Sequence, residues 1–290
     1  MFKIHAICLV KDEADIIAQT LESALEWCNY IYVLDNGSTD GTWEKVIHLS
    51  TKFPSIIPYK QDFGPYRETL RGTAFYTYKS NASENDWWCY LDADEIYIDN
   101  PRMFLANVSK DYQVIYGAHF TYYFTEKDLE RYNQDSTFYA DDAPIDQKCR
   151  WYLNDWSEPR FFRAEKYLTW TYEKPNCGAA YPLRIRIKHF RYRSPQQIQK
   201  RLNIRLQCDP KHFLHERGFQ SWQDKIVDSS QLYFDAHDGR YVLREDMMPS
   251  FNSNKFTLTE RMIRFCRMYL KSMYIKFVLR DHIDKVIRSP

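Results

Sequence analysis

Apolar runs of strand length punctuate the first hundred residues of this 290-residue chain, and helical spacing fills the segments between them. Residues 4–10 (IHAICLV), 30–34 (YIYVL), 55–59 and 87–91 read as strands, the third bracketed by Pro54 and Pro58. After the first strand Asp12 reads as an N-cap. Ile16, Ile17, Leu21, Ala24, Leu25 and Cys28 then recur at helical spacing. Thr42 to about Leu49 and residues 66–79 read as further helices. Strand and helix thus alternate at ~25–30 residues per unit, which predicts parallel pairing by right-handed crossovers and an α/β doubly wound sheet. Ligands of such sheets gather outside the C-terminal ends of the strands. Asp12, Asp35 and Asp92 each follow a strand, so three acids are expected on one rim.

The fourth strand ends most abruptly. Trp87, Trp88, Cys89, Tyr90 and Leu91 stop at Asp92-Ala93-Asp94-Glu95. Asp92 and Asp94 are two apart and lean the same way in extended chain. Two oxygen donors on one side suit a hard divalent cation, Mn2+ or Mg2+; a turn with solvated acids would read the same way. The second signal is Asp35-Asn36-Gly37-Ser38-Thr39-Asp40-Gly41-Thr42, which opens a helix. Small residues there let backbone approach an anionic ligand at the helix N-terminus. A tight turn with an Asx cap accounts for the same residues.

Beyond residue 100 the rhythm breaks. Residues 112–124 read as strand, 125–157 as loops, and 160–172 as a hairpin. Residues 183–192 alternate, with Leu183, Ile185, Ile187 and His189 on one side and Arg184, Arg186 and Lys188 on the other. A basic helix follows from Pro195 to about Gln207. Thr257 and Glu260 form a capping-box pattern ahead of a last helix over 258–288. There Arg261, Arg264, Arg267 and Lys271 run along one side, and Met262, Cys266, Tyr269, Met273 and Phe277 along another. Such a helix either packs on the domain or lies on an anionic membrane.

Composition excludes several classes. A net charge of +1 argues against nucleic acid as a partner. Seven cysteines without a CxxC pair favour a reducing compartment and no zinc knuckle. No stretch approaches ~18 uncharged apolar residues, so no span of a bilayer is expected. The short apolar run after Met1 lacks the length of a signal peptide. The expected location is cytoplasmic, with peripheral contact at the inner face of the membrane through the last helix.

The segments CLVKDEADII, VLDNGSTDGT and YLDADE occur in an order and spacing that resembles family 2 glycosyltransferases of GT-A fold. The resemblance covers roughly residues 1–100. The later IKHFRYRSPQQIQKRL resembles a subgroup marked by LDADE, whereas 101–182 matches poorly, as an acceptor half would. It implies a Rossmann-like, mostly parallel sheet with helices on both faces and a C-terminal helical extension. The implied division is a nucleotide-sugar half at 1–100, an acceptor and metal half at 101–194, and the extension at 195–290.

Position by position, the resemblance implies that Val10 and Glu13 line the nucleotide pocket and Asp35 accepts from the base. Asp92 would lie by the ribose, and Asp94 would hold the metal on the diphosphate. A basic residue some 20 positions upstream fits Arg71, with Arg67 as the alternative; a solvated helix face is the plainer account of Arg71. His189 resembles the third metal ligand; a satisfied core histidine is its other reading. The other histidines, His119 included, have no comparable support. Inversion, also implied by resemblance, needs a carboxylate base from the poorly matching half. Glu158 beside Trp156 is the first candidate and Asp155 the second, with Asp141, Asp142 and Asp146 behind them. A salt bridge from Glu158 to Arg160 or Arg163 is the structural alternative.

These readings converge on a metal-dependent, inverting glycosyltransferase of the kind that serves polysaccharide biosynthesis. The donor is a nucleotide sugar, a UDP-sugar favoured, and the acceptor a saccharide or a lipid-linked species. A non-catalytic sugar-nucleotide binder and a nucleotidyltransferase are the alternatives. The second normally opens on a glycine-rich phosphate loop, and ICLVKDEAD has no glycine.

Overall fold

We describe the protein from a computed structural model. The described residues are 2–67, 69–140, 143–166, 168–170, 175, 178–207 and 218–251, with 262, 266, 269, 270 and 273. The first half alternates as its hydrophobic pattern demands. Strands β1 (Ile4–Val10), β2 (Tyr30–Asp35), β3 (Ile56–Gln61) and β4 (Trp87–Asp92) are joined through helices α1 (Ile17–Leu25), α2 (Thr42–Lys52) and α3 (Leu70–Tyr78). β1 pairs in parallel with both β2 and β4, and β2 pairs in parallel with β3.

The second half supplies β5 (Glu95–Tyr97), α4 (Pro101–Ala106), β6 (Val114–Tyr123), α5 (Glu126–Gln134), α6 (Ile145–Lys148), β7 (Trp151–Arg163), β8 (Ile185–His189), α7 (Pro195–Gln207) and β9 (Tyr233–Phe234). One sheet runs in the order β3-β2-β1-β4-β7-β6-β8-β5, with β9 on β7. All strands but β5 and β7 point the same way. The architecture is therefore the expected α/β, GT-A arrangement of a mostly parallel sheet.

Both faces are buried. Ile4, Ala6, Cys8 and Val10 of β1 pack with Leu21 of α1, Val46 of α2 and Leu105 of α4. Ile7 of β1 packs on the other face with Phe75 of α3, Trp88 and Trp170. This explains why β1 and β4 read as continuous apolar runs rather than alternating ones.

Several sequence expectations are corrected. Asp12 caps no helix: α1 begins at Ile17, and Asp12 takes a left-handed backbone (φ 54°) and accepts from Thr39 N at 2.7 Å. Arg67 precedes α3 rather than sharing its helix. Residues 125–157 are not loop. They hold α5, closed by a reciprocal Thr125–Asp128 capping box, the short α6, and the start of β7. Residues 160–163 complete that one long strand instead of opening a hairpin. Leu183 lies before β8 and is largely exposed, so it does not continue the buried side of Ile185 and Ile187. The capping box of Thr257 and Glu260 and the basic side of the last helix lie outside the described residues. Met262, Cys266, Tyr269 and Met273 are helical and exposed. Among the described residues no helix is long and apolar enough to cross a membrane.

Candidate active site

The C-terminal ends of β1 and β4 open on a cavity of about 460 Å³. Val10, Glu13, Arg71, Asp92, Asp94, Glu158 and His189 all lie on its wall. They come from β1 and the segment after it, α3, β4 and the turn after it, β7 and β8, so the sheet topology gathers what the sequence scatters.

Asp94 and His189 meet through strand register. β5 runs antiparallel to β8 with Glu95 opposite His189, and Phe190 N donates to Asp94 O at 2.8 Å. Asp94 Oδ2 then stands 3.4 Å from His189 Nε2. Burial alone would raise the Asp94 carboxyl, but His189, Arg201 and Arg193 hold it far below the usual carboxylate range. The donor set of one carboxylate oxygen and one imidazole nitrogen fits a divalent metal. Two cis ligands at ~2.1 Å from an octahedral ion lie ~3 Å apart, and a Mg2+-type site leaves its other positions to phosphate and water. Among the described residues no third His, Cys, Asp or Glu joins the pair.

Asp92 is held from two sides. Arg71 of α3 pairs with its Oδ1, and Arg160 Nη2 donates to its Oδ2 at 3.0 Å. Burial pushes the Asp92 carboxyl upward against these two cations. Arg71 is buried, stacks 3.7 Å over the Tyr90 ring and donates to Tyr90 Oη. It is thus not on a solvated helix face, whereas Arg67 is exposed and pairs with Asp62 at 3.0 Å. Glu158 accepts from Arg160 Nη2 at 2.9 Å, so the anticipated salt bridge is present while the carboxylate still borders the cavity. Trp156 beside it is 50% exposed and also lines the wall.

Two candidates lie off the wall. Asp35 is fully buried; its Oδ1 accepts from Ser38 N at 2.8 Å, and its Oδ2 has no hydrogen-bond partner. Its neighbour Asn36 borders the cavity instead. Asp155 is half-buried, and its carboxyl is raised by burial against the nearby Arg191. Asp146 opens α6, and Asp141 and Asp142 lie outside the described residues.

The turn after β2 is braced by groups distant in sequence. Gly37 and Gly41 take φ 73° and 92°, conformations that only glycine adopts without strain. Lys11 Nζ donates to Asn36 O at 2.8 Å, and Ser38 Oγ accepts from Asp12 N at 2.8 Å. From α7, Lys200 Nζ reaches Asp40 Oδ2 at 2.7 Å. Just before α7, the fully buried Arg193 pairs with Asp15 at 2.7 Å and with Glu13. Burial pushes the Glu13 carboxyl up to about 7 despite Arg193.

Sequence reasoning missed Arg160 and His119. Arg160 Nη2 reaches Glu95 as well as Asp92 and Glu158, and His119 Nε2 lies 3.0 Å from Glu95 Oε1. Glu95, Arg160 and His119 form a buried polar cluster, joined through Arg160 to Asp92 and Glu158 of the cavity wall. Arg160 fell in a segment read as a hairpin and His119 in one read as strand, and neither segment carried a pattern that marks a site.

A sequence profile described as Glycosyl transferase family 2 matches residues 6–188. No curated protein matches the sequence. Among solved structures, the mannosyltransferase PcManGT from Pyrobaculum calidifontis, in complex with GDP-Man and Mn2+, is 17% identical with a TM-score of 0.32, over 56% of this chain and 44% of that one. GalNAc-T7 with UDP, GalNAc and Mn2+ is 16% identical with a TM-score of 0.33, over 43% and 24%. Glucosyl-3-phosphoglycerate synthase from Mycobacterium tuberculosis, with Mn2+, UDP and phosphoglyceric acid, is 15% identical with a TM-score of 0.28, over 58% and 57%. The match thus spans less than two thirds of each of these three proteins.

Proposed function

This chain belongs to glycosyl transferase family 2, and we propose that it is a metal-dependent, inverting transferase that moves a sugar from a nucleotide donor to an acceptor hydroxyl. The observation that carries this reading is the Asp94–His189 pair, 3.4 Å apart on the wall of a cavity that also holds Asp92 and Glu158. Asp94 and His189 would hold Mn2+ or Mg2+, which when bound neutralises charge on the departing diphosphate. Val10, Glu13 and Arg71 border the donor end of the cavity. Asp92, fixed by Arg71 and Arg160, is assigned to the ribose hydroxyls. Asp35 is assigned to the nucleotide base; it is fully buried off the cavity wall, so it reaches the base only when the turn after β2 shifts.

Glu158 is the proposed base that takes the proton of the attacking hydroxyl, and Asp155 the alternative. Glu158 borders the cavity, and Trp156 beside it offers a face on which an acceptor ring can stack. The Arg160 guanidinium fixes the carboxylate from below. The donor is a nucleotide sugar, UDP-linked by preference, and the acceptor a saccharide or lipid-linked species.

The test is hydrolysis and transfer from a panel of UDP- and GDP-sugars, with Mn2+ and with EDTA, for the wild type and Asp94→Asn. Turnover that requires the metal and vanishes in Asp94→Asn supports the reading. Undiminished turnover in EDTA overturns the metal role. Nucleotide-sugar binding without turnover under any condition leaves the non-catalytic binder in its place.

A further inference from the structure

Two guanidiniums hold Asp92, and both meet one aromatic ring. Arg71 reaches Asp92 Oδ1 from α3, and Arg160 reaches Oδ2 from β7 at 3.0 Å. The centroid of the Tyr90 ring is 3.7 Å from the Arg71 guanidinium carbon and 4.9 Å from that of Arg160. Tyr90 Oη accepts from Arg71 Nη1 at 2.7 Å. The ring itself stacks on Trp170, with centroids 6.3 Å apart and 17° between the planes. Tyr90 and Asp92 are two apart on β4, so they stand on one face of the sheet, and both border the cavity.

This arrangement answers an electrostatic problem. Two like charges converge on one carboxylate, and both cations are buried. An aromatic face attracts a guanidinium through its quadrupole and covers the weakly hydrated plane of the group. The N–H bonds of a guanidinium lie in that plane, so a ring that fixes the plane also fixes where the donors point. Trp170 in turn holds the ring in place. An aliphatic side chain in the same space would supply neither the attraction nor the hydroxyl acceptor.

We propose that Tyr90 is a positioning residue for the donor: its ring aligns Arg71 and Arg160 on Asp92, and through them sets how tightly the ribose is held. The inference rests on the reading above that assigns Asp92 to the ribose hydroxyls. Tyr90 acts on the nucleotide through the two arginines and the carboxylate they fix.

Calorimetry with UDP and with 2′,3′-dideoxyuridine diphosphate, which lacks both ribose hydroxyls, tests this with Mn2+ present. The wild type should bind UDP at least about 10-fold more tightly than the dideoxy compound. Tyr90→Leu should cut that preference to below about 3-fold by weakening UDP, while Tyr90→Phe, which keeps the ring, should retain most of it. Tyr90→Met replaces Tyr90→Leu if the latter does not fold. A Tyr90 that only fills space would lower Tm and weaken both nucleotides alike; an unchanged preference in Tyr90→Leu would therefore overturn the proposal. So would a loss in Tyr90→Phe as large as that in Tyr90→Leu, which would leave the ring without a role. Equal binding of the two nucleotides by the wild type would strike the placement of Asp92, and binding of neither would strike the transferase reading. Both are seen in the wild type alone and are thus distinct from failure of the Tyr90 variants.

Discussion

Replacing Arg160 with Gln withdraws a buried cation from three carboxylates at once. Arg160 is 1% exposed, and its Nη2 serves Asp92 at 3.0 Å, Glu158 at 2.9 Å, and Glu95. The costs differ by burial. Asp92 keeps Arg71 and, like Glu158, retains some contact with water, so each of those two losses is worth about 0–1 kcal/mol. Glu95 is 1% exposed and would be left as an uncompensated buried charge, a situation that costs ~3–5 kcal/mol. His119, 3.0 Å away, remains as a hydrogen-bond partner of Glu95 and offsets part of this. The expected total is about 3–4 kcal/mol, a large share of the ~5–15 kcal/mol that holds a typical domain folded. Urea denaturation followed by the fluorescence of the 8 tryptophans measures it, as a lowered midpoint at unchanged slope. Combining Arg160→Gln with Glu95→Gln removes the stranded charge together with its partner, so the double variant should be more stable than Arg160→Gln alone. A loss below about 1 kcal/mol in the single variant, or a double variant whose cost equals the sum of the two singles, would refute the account of a buried cation compensating Glu95.

Other outcomes follow from the same geometry. Asp35→Ala should weaken UDP binding by ~1–3 kcal/mol, the range for a lost charge-assisted hydrogen bond, and unchanged calorimetric affinity would remove Asp35 from the base-binding role. Gly72→Ala should destabilise the protein by ~1–3 kcal/mol, because a Cβ there would meet the backbone oxygen of Trp170 at 2.8 Å; an unshifted Tm would show that α3 moves freely. Asp235 accepts from Tyr122, from Lys188 at 2.8 Å and from His237 N at 2.9 Å. Burial alone would raise its carboxyl, but these donors lower it from 3.8 to about 2. A depressed carboxyl contributes stability above its unfolded pKa and loses it as pH falls through the folded one. The roughly 2 kcal/mol by which wild type exceeds Asp235→Asn at pH 6 should therefore shrink between pH 4 and pH 2, and a difference that stays constant would contradict the shift.

The first half of the fold was legible because burial dictated its composition. β1, β2 and β4 are covered on both faces, so they read as unbroken apolar runs and their acid-bearing ends marked the rim. The second half hid β7, whose Asn154, Asp155 and Ser157 fell in a segment read as loop and whose Arg160 fell in one read as a hairpin. Its polar residues are buried by one another: Asn154 donates to His119 O at 2.8 Å, and Arg160 sits among its acids. No local pattern records such pairing. α5 hid for another reason, since its EKDLERYNQ carries almost no apolar stripe and is fixed by the Thr125–Asp128 cap. Asp92, Asp94 and His189 were legible as residue types at strand ends. The adjacency of Asp94 to His189 was not, because it depends on the antiparallel register of β5 with β8.

Arg193 and Lys200 also set the order in which this protein can become competent. Their contacts with Asp15, Glu13 and Asp40 close loops of 178, 180 and 160 residues. Such long closures are slow to form and come after local strand–helix units have condensed. A partly folded chain can hold β1, β2 and α2 in place and still lack the cations that settle the turn after β2 and the segment after β1. The cavity rim encoded nearest the N-terminus is thus among the last parts to be finished. Substitutions in α7 should accordingly speed unfolding more than they slow the earliest folding steps, although they lie far in sequence from the residues they secure.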